Sequence, residues 1–124
     1  MLSPIKTVTV YVADQQKAIE FYTQKLGCVI RCSLPMGPSA NWFEVSPPGT
    51  QTSLVLYPKA MMPNSAELKL GVVFHCPDVE ATCRRLESLD VRISMPPKQM
   101  PWGTFASFLD VDGNEFGLTS QEIA

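Results

Sequence analysis

The sequence predicts an α+β fold built from two βαβββ modules. Three observations carry that expectation. The order strand, helix, strand, strand, strand is legible twice along the 124 residues. Asp14 and Asp78, 64 positions apart (78 − 14), each stand where a helix begins. The end of the chain reads as a hairpin, with β-favouring runs on both sides of Asp112-Gly113-Asn114. A duplication at this period implies two like modules, each too small to cover its own sheet face. Their curved, mixed sheets are therefore expected to face each other across a cavity, with the helices outside.

The elements follow in order. From Ile5 to Val12 the residues alternate: Val8, Val10 and Val12 point one way, Thr7, Thr9 and Tyr11 the other. Asp14 then caps a helix in which Ala18, Ile19, Tyr22 and Leu26 share a face, and Gly27 ends it with a left-handed residue. Cys28 to Ser33, Asn41 to Val45 and Thr52 to Tyr57 read as strands. Pro35 to Ser39 and Pro47-Pro48-Gly49 separate them as loop and turn. Residues 59–67 show no period and read as a linker between modules at about 5–58 and 68–120 of one domain.

The pattern then restarts. Leu68 to Cys76 is a strand, and Asp78 caps a helix with Val79, Cys83, Leu86 and Leu89 on one face. Val91 to Ser94 is a strand, Met95 to Pro101 a proline-broken loop, and Phe105 to Leu109 pairs with Glu115 to Thr119.

Composition narrows the function classes. Hydrophobic residues at 45% and charged residues at 18% suit one domain with a core. Net charge is -2 with no Lys/Arg block, so neither nucleic acid nor a membrane surface is an expected partner. Met1-Leu2-Ser3-Pro4-Ile5-Lys6 lacks the pattern of a secretory signal, and a cytoplasmic location is expected. The four cysteines form no C-x-x-C pair and there is one His, so zinc-ligand spacing is absent and reduced thiols are expected.

Two motif sets carry a resemblance. The first is Val12-Ala13-Asp14, Ala18-Ile19-Glu20-Phe21-Tyr22 and Leu26-Gly27. The second is Pro101-Trp102-Gly103 with Phe108-Leu109-Asp110-Val111-Asp112-Gly113-Asn114-Glu115-Phe116. Together they resemble the opening and ending of the vicinal oxygen chelate superfamily, which includes glyoxalases, bleomycin-resistance proteins and extradiol dioxygenases. Val111 stands where that ending usually has Pro. The resemblance spans nearly the whole chain. It is specific for the fold and poorly specific for the reaction, because one fold serves many chemistries.

The resemblance implies a divalent metal in the family's enzymes, held by His or Glu on the first and last strands of each module. The corresponding positions here are Thr7, Val55, Gly71 and Gly117. Valine and glycine offer no donor, and a lone Thr hydroxyl is a weak one. No metal or other cofactor is therefore expected. His75 and Glu115 alternate onto the cavity side but are displaced oppositely by six residues, about 20 Å, too far to share an ion.

The expected cavity has room, weak polarity and scattered hydroxyls, with Gly71 and Gly117 removing bulk. Thr7, Thr9, Ser53 and Tyr57 are its candidate ligand contacts in the first module. His75, Trp102, Phe105 and Glu115 are those in the second, with Trp102 and Phe105 near the mouth. Each has a plainer reading: His75 as a strand-end side chain satisfied by water, Tyr57 and Tyr11 as sheet-edge closure. Trp42 reads as core or dimer packing, Arg31 as an exposed strand residue, and Cys76 as a small apolar side chain.

Two functions compete. One is a metal-free binder of a small organic, possibly aromatic, molecule, acting as a homodimer; loss of the ligand set favours it. The other is a metal-independent lyase, isomerase or dioxygenase-related enzyme using His75 or Glu115. An interaction module with a filled cavity is the third reading.

Overall fold

The computed structural model describes residues 5–62, 71–101 and 103–120. They divide into two units, 1–68 and 69–124, each holding a four-stranded mixed sheet.

Module one contains β1 (Thr7–Val12), α1 (Gln15–Glu20), β2 (Val29–Pro35), β3 (Asn41–Ser46) and β4 (Ser53–Pro58). Its strand order is β1-β4-β3-β2, with β1 and β4 parallel and the other neighbours antiparallel. The alternation in β1 is realised: Val10 and Val12 are buried, and Thr7, Thr9 and Tyr11 take the opposite face. Asp14 caps α1, its Oδ1 accepting from the backbone N–H groups of Gln16 at 2.9 Å and Lys17 at 3.2 Å.

A π-helical turn, Phe21–Lys25, extends α1. The extra residue per turn rotates the buried face. Ala18, Phe21 and Tyr22 are therefore buried, whereas Ile19 and Leu26 of the expected stripe are half-buried. Gly27, at φ 73°, ends the segment and lets Cys28 N–H reach the Tyr22 carbonyl at 2.9 Å.

Module two contains β5 (Val72–His75), α2 (Val79–Ser88), β6 (Arg92–Met100), β7 (Gly103–Leu109) and β8 (Glu115–Thr119), ordered β5-β8-β7-β6. Asp78 caps α2 through Ala81 N–H at 3.0 Å. Val79, Cys83 and Leu86 of the expected face are buried, and Leu89 is half-buried. The same side of the sheet carries stacked Phe74, Phe108 and Phe116, with ring centroids 5.5–6.4 Å apart.

The expected loop at Met95–Pro101 is corrected: β6 continues to Met100. Pro96 and Pro97 interrupt the register, which shifts between Ile93 and Met95 and again between Met95 and Lys98. Proline lacks a ladder donor and is tolerated here because β6 is an edge strand.

The final hairpin forms with Leu109 opposite Glu115. Its turn is wider than a two-residue loop and is built on buried Asp110. Asp110 Oδ1 accepts from Asp112 N–H at 2.9 Å and Asn114 N–H at 2.8 Å, while Oδ2 accepts from Asn114 Nδ2 at 2.9 Å. The linker at 59–67 and the strand start at Leu68 lie partly or wholly outside the described residues; Lys59–Met61 is a single 3₁₀ turn. No helix among the described residues is long and apolar enough to cross a membrane.

Candidate functional site

Each sheet has one face away from its helix, and alternation decides which side chains stand there. In module one the register places Thr7 opposite Ser53, Thr9 opposite Val55 and Tyr11 opposite Tyr57. Glu44 lies opposite Val55. Trp42, Glu44 and Ser46 therefore share this face with the expected Thr7, Thr9, Ser53 and Tyr57.

The rings form a row. Tyr11 and Tyr57 meet edge to face at 6.2 Å, and Trp42 and Tyr57 do so at 6.4 Å. Trp42 Nε1 donates to Glu44 Oε2 at 2.8 Å. Ser53 and Val55 are buried, while Thr7, Thr9, Tyr57, Trp42 and Glu44 are half-buried. Neither Glu44 nor the packing of Trp42 on Tyr57 was read from the sequence. Alternation within Asn41–Ser46 was the available signal, and it needed the register with β4 to become a location.

In module two the open face carries a depression of about 330 Å³ lined by Gly71, Val73, Met95, Phe105, Ser107, Glu115 and Gly117, with Val72 at its border. Ser94 and Ser107 hydroxyls lie 2.7 Å apart, and Ser107 Oγ donates to Glu115 Oε2 at 3.4 Å. Gly71 has open space around its Cα, as expected. Gly117 does not: a Cβ there would stand 2.9 Å from Phe105 Cζ and 3.1 Å from Val73 Cγ2. Phe105 thus lies across the floor of this depression rather than at a mouth, filling the room expected at Gly117.

His75 and Glu115 are not brought together. Val73 pairs with Gly117 and His75 with Thr119, so Glu115 lies four residues from the level of His75. This corrects the expected displacement of six to four, still about 13 Å. Both side chains are exposed. Trp102 lies outside the described residues.

The four positions that would carry a metal do not fit one. Val55 is buried and apolar, Gly71 has no side chain, and the space at Gly117 is taken by Phe105. That leaves the Thr7 hydroxyl alone. Among the described residues no group of three or more His, Cys, Asp or Glu could hold an ion.

Three of the four thiols are poor nucleophiles. Burial pushes Cys28 up to about 11. Burial also raises Cys76, with Asp78 adding to it and a hydrogen bond from Thr82 opposing it. Cys83 is raised by burial and by neighbouring Cys76 and Glu87. A thiol held protonated is a poor attacking group.

Residues 5–118 match the Glyoxalase/Bleomycin resistance protein/Dioxygenase superfamily. The chain belongs to that superfamily. Among its relatives, the uncharacterized protein YetH of Bacillus subtilis is 49% identical, with 95% of this chain and 98% of YetH covered. The crystal structure of TnmS3, an antibiotic binding protein from Streptomyces sp. CB03234, is 36% identical, covers 98% of both chains and gives a TM-score of 0.82. A superfamily member from Sphaerobacter thermophilus is 27% identical over 95% of this chain and 97% of its own, with a TM-score of 0.86. The two βαβββ modules read from the sequence are those of the glyoxalase/bleomycin-resistance fold.

Proposed function

We propose that this superfamily member binds a small organic molecule with an aromatic part, and does so without a metal. The observation that carries the reading is the Tyr11–Tyr57–Trp42 row on module one, beside positions that have lost the donor atoms of the family's enzymes. A flat ligand can lie along Trp42 and Tyr57, where offset stacking adds about 0.5–1.5 kcal/mol beyond burial. The hydroxyls of Thr7, Thr9 and Ser53 supply a few orienting hydrogen bonds. The antibiotic-binding description of TnmS3 supports this class of ligand. Trp102, His75, Phe105 and Glu115 belong to the proposal as further contacts, Trp102 from its place in the sequence.

The proposal includes one domain of both modules, a cytoplasmic setting and a homodimer. Support for pairing comes from edge strand β2, where Val29, Ile30 and Leu34 are 42%, 50% and 57% exposed. Such an edge invites burial against a second copy. Light scattering should return twice the 13.7 kDa chain mass at micromolar concentration, and the single mass would refute pairing.

A metal-free enzyme is the second reading. It rests on the Ser94–Ser107–Glu115 hydrogen-bonded series beside the 330 Å³ depression, a path along which a proton can move. The two readings part on one experiment. A panel of flat aromatic compounds, titrated against tryptophan fluorescence, is expected to give hits that Tyr57→Ala weakens about tenfold or more and Glu115→Gln leaves unchanged. Turnover of a hit, lost in Glu115→Gln, would replace the binder with the enzyme.

A further inference from the structure

The row of rings on module one has a charge beside it. Glu44 stands two residues from Trp42 on β3, hence on the same face, and the indole N–H holds its Oε2 at 2.8 Å. That bond fixes the carboxylate next to the ring system. The ring faces of Trp42, Tyr57 and Tyr11 are themselves electron-rich. Carboxylate and rings therefore present the same sign to whatever lies on the face.

Toward β4 and β1, nothing beside Glu44 cancels that sign. Its register neighbours Thr7, Thr9, Ser53 and Val55 are neutral. Arg31 reaches this face at Ser46, two residues beyond Glu44 on the side away from Trp42. There its Nη1 donates to Ser46 Oγ at 3.2 Å and to the Thr50 carbonyl at 2.8 Å.

We infer that module one's open face selects molecules that carry a protonated amine, or another organic cation, on an aromatic body. The aromatic part lies along Trp42 and Tyr57, and the cation meets Glu44 and the ring faces together. A charge-assisted hydrogen bond and a cation–π contact then act on one group. A neutral analogue retains only the ring contact. An anion of the same shape meets like charge at Glu44 and is rejected. The inference rests on the small-molecule-binding reading above and adds the charge class of the ligand.

The test uses the full chain and three probes of like size: naphthylmethylamine, naphthylmethanol and naphthoate. Isothermal titration at low salt compares wild type with Glu44→Gln, which keeps an acceptor for Trp42 Nε1 and removes only the charge. Wild type is expected to bind the amine about tenfold more tightly than the alcohol, and naphthoate most weakly. Glu44→Gln is expected to bind amine and alcohol alike, with alcohol affinity kept. Raising the salt should weaken the amine and spare the alcohol in wild type, a check that needs no variant. Equal binding of all three by wild type, a preference that survives Glu44→Gln, or an amine affinity indifferent to salt overturns the inference alone. No binding of any probe to wild type overturns the small-molecule-binding reading with it.

Discussion

The two modules repeat one topology but put most of their strand-borne rings on opposite sides of the sheet. Module two stacks Phe74, Phe108 and Phe116 on its helix side and leaves Phe105 among glycine, serine and valine on its open face. Module one buries Val10, Val12, Val45 and Leu56 with Phe21 and Tyr22 of its helical segment, and sets Tyr11, Tyr57 and Trp42 on the open face. Aromatic surface in the core stabilises the fold, whereas half-buried rings on an open face add less to it. Both cores hold rings, so the contrast lies in the open faces: Tyr11, Tyr57 and Trp42 on module one against Phe105 on module two.

Substitutions can break that contrast. Phe116→Ala deletes a fully buried ring from the module-two cluster and should cost about 3–5 kcal/mol in denaturant melts. Tyr57→Ala, on the open face of module one, should cost about 1 kcal/mol while removing ligand binding. Equal losses of stability from the two would erase the proposed division of labour.

Gly117→Phe sharpens the account of module two. Phe105 and Val73 already occupy the space, so overpacking should cost about 1–3 kcal/mol. A Cβ at Gly71 meets nothing within 4 Å, so Gly71→Phe should melt within about 0.5 kcal/mol of wild type. Similar melting of the two variants would mean that Phe105 does not rest on Gly117.

The helix caps are the modules' most alike feature. Asp14→Ala and Asp78→Ala should each cost about 1 kcal/mol by chemical denaturation. Asp14 should cost the more, since it accepts two backbone hydrogen bonds against one for Asp78.

The remaining effect is titrational and appears only at alkaline pH. Cys28 is raised from 9.0 to about 11 by burial, so the folded state favours the neutral thiol. The stability this confers is complete below pH 9 and is lost as pH rises through about 11. Cys28→Ala should therefore gain on wild type across that window, read as the difference between paired melts, and a constant difference would contradict the assignment.

What was legible in the sequence is what local chemistry decides. Asp14 and Asp78 declared themselves because a cap needs only its own first turn. The alternation in Thr7–Val12 gave both faces of β1, and Asp112-Gly113-Asn114 located the hairpin. What was missed depends on partners distant in the chain. Pro96-Pro97 read as a loop, because only the sheet order shows that β6 is an edge. Phe21 was absent from the expected helix face, because a π turn has no strong sequence mark. The offset of His75 from Glu115 depended on pairing Val73 with Gly117, and the filling of Gly117 on a ring from the neighbouring strand. Glu44 belonged to the same class: its face was legible, its neighbours were not.

The central claim is that an organic ligand is held by side chains and not through a metal. A native mass spectrum of freshly purified, untagged protein, taken before and after chelator treatment, tests it most directly. The account predicts a bound organic mass that survives the chelator and disappears in Tyr57→Ala. A stoichiometric divalent metal, or an organic mass lost with the chelator, would contradict it.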